Sequence, residues 1–255
     1  MKHQFSVLLL AVTVAVTGLF SSCSSTDYNR IPRTDFIQHY QKVDHERCPF
    51  VSGWDCQTNE EWNSAIAGKR TLYVKPVTLS YFHGKVQTAD DARNIEALRA
   101  YFDQCLRTEM DKAAKKDPNL KVVYKPTAGA WTLEVAILSA RAVNVGKNAV
   151  VTGLGQAVGA GMVWDMLINK EEESKGYISM GGRLTNPSGK RTTEVADFEY
   201  GMGSLTGALL VDTKDFRPYA YQRDSVKAWA EQFAKLVTTP AETGVSRRQF
   251  SLNPF

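Results

Sequence analysis

Nucleophilic or metal-binding chemistry in this chain would draw first on four cysteines and four histidines. Cys23 is set apart by what precedes it. Leu19-Phe20-Ser21-Ser22-Cys23 closes an apolar run from Phe5 to Phe20, interrupted only by Ser6, Thr13, Thr17 and Gly18, with Lys2 ahead of it. A charged start, a hydrophobic stretch and small residues at the end form the pattern of a secretory signal. With a cysteine directly after the cut, the pattern reads as a lipobox, and Cys23 is the residue expected to carry lipid. An apolar run of about 16 residues is short for crossing a ~30 Å hydrocarbon core, which argues against an uncleaved anchor. Ser24, not Asp, follows Cys23, which favours the outer membrane. Several acyl chains on one cysteine anchor stably, at about 0.8 kcal/mol per buried CH₂.

The other three cysteines are Cys48, Cys56 and Cys105. Export favours disulfides. Cys48 and Cys56 bracket Pro49-Phe50-Val51-Ser52-Gly53-Trp54-Asp55, which holds turn residues, and they are expected to pair. Cys105 then stays alone on the apolar face of a helix, where a thiol behaves as a small hydrophobe. A metal site from His39, His45, Cys48 and Cys56 is the competing reading, but the spacing fits no standard zinc pattern. His83 beside Gly84 reads as a solvated loop histidine. No G-x-S-x-G surrounds any serine, so no catalytic constellation emerges.

Residues 1–22 hold one charge, so 233 residues with a formal net charge of +3 remain. That charge is too small to argue for nucleic acid. A composition of 43% hydrophobic and 23% charged residues permits a core and excludes general disorder. The organisation expected is a signal peptide at 1–22, a tether and disulfide-clamped extension at 23–69, one domain at 70–238, and a loose polar tail at 239–255. Within the extension, the polar residues 24–35 read as a flexible spacer.

The elements that would position these residues are legible in part. Thr71 to Leu79 reads as a strand, at an edge or bulged where Pro76 removes a ladder donor. Thr88-Ala89-Asp90-Asp91 opens a helix, with Thr88 or Asp90 able to accept its free N–H groups. Ile95, Leu98, Phe102, Cys105, Leu106 and Met110 form its apolar face. Leu120 to Lys125 and Trp131 to Val143 alternate and are joined by a short Pro/Gly loop, which predicts an antiparallel pair. Gly176 to Thr185 and Thr193 to Met202 predict a second pair, across a type I turn at Asn186-Pro187-Ser188-Gly189. Ala196, Phe198, Tyr200 and Met202 are expected to face the core, leaving Asp197 and Glu199 on the wet side. A last helix from Asp224, as cap, to Val237 carries Val226, Trp229, Phe233 and Leu236. The class is α+β: an antiparallel sheet of four or five strands with both helices on one face.

Residues 148–169 carry one charge, Asp165. Gly153, Gly155 and Gly159 miss the dinucleotide-loop spacing. The segment, with Gly161, Met162 and Trp164, reads either as a buried helical excursion or as a contact with membrane or neighbouring subunits. In the second reading the Gly155/Gly159 pair permits close helix approach. An exposed patch this apolar would mark an interaction site.

From Thr71 to Val237 the chain resembles an uncharacterised family of bacterial lipoproteins, domain of unknown function 3313. The resemblance rests on Tyr73-Val74-Lys75-Pro76-Val77, the long helix after it, and the Gly/Ala-rich segment at 149–164. It rests also on the hairpin from Gly182 and on Val226-Lys227-Ala228-Trp229-Ala230. The element order is similar to the curli secretion lipoprotein and to the N-terminal domain of TolB-like proteins, which implies an anticodon-binding-like fold. Neither resemblance supplies a catalytic residue or a cofactor. The function expected is a non-enzymatic binding or structural module of the bacterial envelope, anchored through Cys23 to the outer membrane. Its partner would be an envelope protein or the cell wall, and nucleic acid is not expected. The alternative is a subunit of an oligomeric secretion or pore complex that uses residues 149–168.

Overall fold

The computed structural model describes residues 28–40, 48–142, 176–201, 219–241 and 243–245. The expected signal, Cys23, His45 and the 149–168 segment, with Gly153, Gly155, Gly159, Gly161, Met162 and Trp164, lie outside the described residues. Among those described, no helix is long and apolar enough to cross a membrane.

After a 3₁₀ turn at Tyr28–Arg30, the elements are β1 (Ser52–Asp55), α1 (Asn59–Ala67), β2 (Arg70–Val74) and α2 (Ala89–Lys116). Then follow β3 (Leu120–Val123), β4 (Trp131–Arg141), β5 (Gly176–Thr185), β6 (Arg191–Gly201) and α3 (Ala220–Leu236). The strands form one six-stranded sheet in the order β1-β6-β5-β4-β2-β3.

Helix α2 follows its sequence pattern. Thr88 accepts from the Asp91 N–H while the Asp91 carboxylate accepts from the Thr88 N–H, a reciprocal capping box. Lys115 and Lys116 sit at the negative end of the dipole. Ile95, Leu98, Phe102, Leu106, Met110 and Ala113 are buried, in steps of three and four. Cys105 is half-buried beside them against the same core, and burial pushes its thiol up. The β5–β6 hairpin also matches: Gly189 N–H donates to the Asn186 carbonyl at 2.9 Å, and Gly189 has φ +82°. A left-handed residue there suits glycine.

The sheet is mixed, not an antiparallel one of four or five strands. β2 lies between β3 and β4 and runs parallel to both. The β2-α2-β3 crossover dictates this, because the helix returns the chain and β3 sets off in the direction of β2. Trp131 pairs with Leu72 while Val123 pairs with Tyr73, so β4 starts level with the end of β3. The loop through Pro126 and Gly129 therefore steps sideways over β2 and makes no hairpin. At Pro76 the β2 ladder breaks and resumes at Thr78, which bridges Ala136.

Helix α3 begins earlier than Asp224. It starts at Ala220, after Tyr219 in the left-handed region at φ 62° and without a side-chain cap. Asp197 is also misplaced by the sequence pattern. It faces α3, is 0% exposed, and accepts from Trp229 Nε1 at 2.9 Å and from the Phe198 N–H at 2.9 Å. The expected loose tail is packed at its start. Trp62 Nε1 donates to the Thr239 carbonyl at 3.0 Å, Ala241 N–H to Asn63 Oδ1 at 2.8 Å, and Ala241 and Val245 are buried. β1 and α1, read as part of a separate extension, belong to the same sheet and core.

The two sheet faces have different covers. Leu133, Val135, Ile137, Ile178, Met180 and Val195 point into a large core with α2 and α3. On the opposite, outer face Ala136, Leu138, Ala196 and Phe198 join Ile31, Phe36, Ile37 and Val51 in a smaller core. Replacing Trp229 by Phe removes a buried donor from the Asp197 carboxylate while keeping most of the ring. The expected loss is about 1–3 kcal/mol in urea denaturation, whereas a change within about 0.5 kcal/mol of zero would show that the bond adds nothing.

Candidate functional site

The outer face is organised in rows across neighbouring strands. One row runs Ala136 (β4), Gly181 (β5), Ala196 (β6) and Ser52 (β1). Four small side chains in register leave a trough across the sheet. The next row runs Glu134, Arg183, Glu194 and Trp54 over the same four strands, three charged side chains and then an indole.

Residues 31–40 form a strap that fills the trough. A Cβ on Gly181 would come within 2.9 Å of the Phe36 ring and 3.1 Å of Ile37, so only glycine lets the strap lie this close. Phe36 and Ile37 are 1% and 2% exposed. The Phe36 ring also lies against the Arg183 guanidinium, 4.5 Å from centroid to Cζ, and against the tilted ring of Tyr81 at 4.8 Å. Arg183 is in turn paired with Glu134, and Glu134 with Lys75. Burial opposes the charge on Glu134, but its bonds to Arg183 and Lys75 outweigh that and hold the carboxyl below its ordinary value.

The strap is latched at Glu194, whose side chain is 0% exposed. One carboxylate oxygen accepts from the Gln38 N–H at 3.0 Å, the His39 N–H at 2.8 Å and lies 3.1 Å from His39 Nδ1. The other accepts from Arg191 Nη1. Burial alone would favour the neutral acid. The His39 N–H, the Arg191 guanidinium, the Gln38 N–H and the His39 ring together reverse this and hold the carboxyl below its usual range. The His39 ring then stacks on Trp54 with centroids 3.9 Å apart and planes 10° apart. A histidine–carboxylate pair is part of a catalytic triad. Among the described residues the ring bonds Glu194 and stacks on Trp54, joining the strap to the sheet.

Of the sequence-predicted lipid, disulfide and interaction residues, only Cys48 and Cys56 lie among the described residues. No disulfide joins Cys48 and Cys56. Cys56 directs its Sγ to the Arg191 carbonyl at 3.5 Å, and Cys48 packs against the helix-side core. Among the described residues no three His, Cys, Asp or Glu side chains gather as metal ligands, and His39 is committed to Glu194. His83 is exposed, as its loop position implied. Reading residues 24–35 as a spacer missed the burial of Ile31, and residues 36–40 beyond it carried no structural expectation. The signal was present in Ile31, Phe36, Ile37 and Tyr40, apolar or aromatic residues recurring in a polar stretch, and in Gly181-Gly182 within a strand.

No family model matches the chain, so the resemblance over Thr71 to Val237 has no family match behind it. No curated protein matches it either. Among solved structures, a dodecamer of a PelC variant from Paraburkholderia phytofirmans is similar over 66% of this chain and 87% of that chain, at 8% identity and a TM-score of 0.31. An uncharacterized protein is similar over 66% and 92%, at 12% identity and a TM-score of 0.29. Likenesses at these scores carry no argument about what this chain does.

Substituting Glu194 by Gln replaces charge-assisted bonds with neutral ones, and is expected to cost about 1–3 kcal/mol at pH 7. The sign with pH follows from a folded pKa below the unfolded value of about 4.3. The Glu194 contribution is complete above that unfolded value and is lost as pH falls through the folded one. Urea titrations from pH 6 to pH 3 should therefore show the wild type losing more stability than the Gln variant. Parallel acid limbs would show that Glu194 is not ionised in the latch.

Proposed function

We propose that this chain is a lipid-tethered module of the bacterial cell envelope, anchored through Cys23 in the outer membrane and serving a binding or structural role without catalysis. The observation that supports it best is the strap. The folded, buried chain begins only eight residues after Cys23, at Ile31, which is 4% exposed. A few residues on, Gln38 and His39 are held by a fully buried carboxylate. A tether this short keeps the domain close to its anchor. The signal pattern ahead of Cys23 and Ser24 after it support the location. In the outer-face clasp, His39 and Glu194 are engaged with the strap rather than with an open cleft.

The partner on this reading is a protein or polymer of the envelope. Replacing Cys23 by Ala is expected to leave the protein unprocessed or released from the membrane fraction, with no acyl mass on the N-terminal peptide. Membrane fractionation identical to wild type would contradict lipid anchoring.

A further inference from the structure

The place where the tether enters the fold decides which side of the domain faces the bilayer. We infer that the outer face of the sheet, with its strap, lies against the lipid surface and that the helix layer points away from it. This rests on Cys23 being the anchored residue.

The reach of the tether limits the orientation. Five residue steps lead from Cys23 to Tyr28, and three more through the 3₁₀ turn to Ile31. At most about 3.5 Å per extended residue and about 2 Å per 3₁₀ residue put Ile31 within about 24 Å of the anchored cysteine. Ile31 is buried on the outer face, among Phe36, Ile37, Ala196 and Phe198. With the helices toward the bilayer, the tether would have to climb past a helix layer about 10 Å thick and the sheet above it, roughly 15–20 Å in all. It would then pass round β1, the nearer sheet edge, and travel back one or two strands at about 4.8 Å each. That path of about 20–30 Å takes up most or all of the reach of a fully taut chain. With the outer face toward the bilayer the same residues suffice with slack.

The chemistry of this face agrees with a lipid neighbour. Tyr40, Tyr81 and Tyr177 are half-buried around the outer core. Amphipathic rings of that kind favour the level of the headgroups. Arg33 is exposed on the strap beside Tyr40, its Cζ 4.2 Å from the ring centroid, and Arg30 stands one residue before Ile31. Basic side chains next to an anchor are drawn to anionic headgroups.

The test uses the lipidated full chain in vesicles of phosphatidylethanolamine and phosphatidylglycerol that carry an acceptor dye on a fraction of the headgroups. A donor dye is attached at Gln38→Cys on the strap or at Lys112→Cys on the exposed side of α2, with Cys48, Cys56 and Cys105 changed to Ser. Gln38 is exposed, and the Lys112 side chain is 58% exposed. The two sites differ in height by about 20 Å on this orientation, so energy transfer from position 38 should exceed that from position 112 roughly twofold or more. Equal transfer, or more from position 112, overturns the orientation. If the serine background does not fold, acetylation of the native chain replaces it: vesicle binding should protect Lys75 on the outer side and leave Lys112 as reactive as in detergent. The reverse pattern again overturns the inference. The mass of the N-terminal peptide separates the two levels of the argument. Acyl chains on Cys23 with the wrong order of transfer remove the orientation alone; no acyl chains remove the tether, and the orientation with it.

Discussion

A carboxylate with no exposed surface must replace its lost water with donors, or become neutral. Glu194 meets that demand with donors from two directions: Arg191 on its own strand, and the backbone and ring of the strap. The strap's position therefore depends on a charge in the sheet, and the charge in the sheet depends on the strap. Removing the strap leaves the buried carboxylate short of donors, which costs more than the net worth of the bonds themselves. His39 extends the coupling to the edge strand, because its ring lies flat on Trp54 of β1.

Strand β6 uses the same device on both faces. Three residues beyond Glu194, Asp197 points the other way and accepts from the Trp229 indole of α3. One buried carboxylate thus fixes the strap and another fixes the terminal helix. Strand β5 beside it supplies room in the same alternating manner. Gly181 admits Phe36 on the outer face, while a Cβ on Gly182 would come within 2.5 Å of the Phe233 ring on the helix face. Two adjacent glycines weaken a strand. Here each allows an aromatic ring to approach the backbone, and the dispersion contacts so gained offset the flexibility of the unfolded chain.

The sequence was most legible where local pattern and local chemistry agree. The Thr88–Asp91 box and the three- and four-residue steps from Ile95 to Met110 define α2 without reference to anything distant. The Asn186 to Gly189 turn likewise fixes its hairpin. Strand partners were less legible. Alternation marks β3 and β4 as strands but says nothing of β2 being inserted between them; that follows from the crossover through α2. Asp197 was misread because alternation separates two faces without saying which is wet, and on a sheet covered on both sides neither is. The strap was hidden for a related reason. Its backbone joins no strand, and its bonds go to Glu194, more than 150 residues later in the chain. Cys48 and Cys56 are close in sequence, yet one packs on the core and the other turns to Arg191.

On the outer face of the described fold, a ten-residue strap joins the six-stranded sheet to the chain upstream of Tyr28. Hydrogen exchange measured by NMR tests this most directly. If the latch holds in solution, the Gln38 and His39 amides exchange only through global unfolding, as slowly as the Val195 and Ala196 amides in the strand beneath them. Exchange of those two amides at the rate of a free peptide, with the strand still protected, would show the strap undocked and contradict the account.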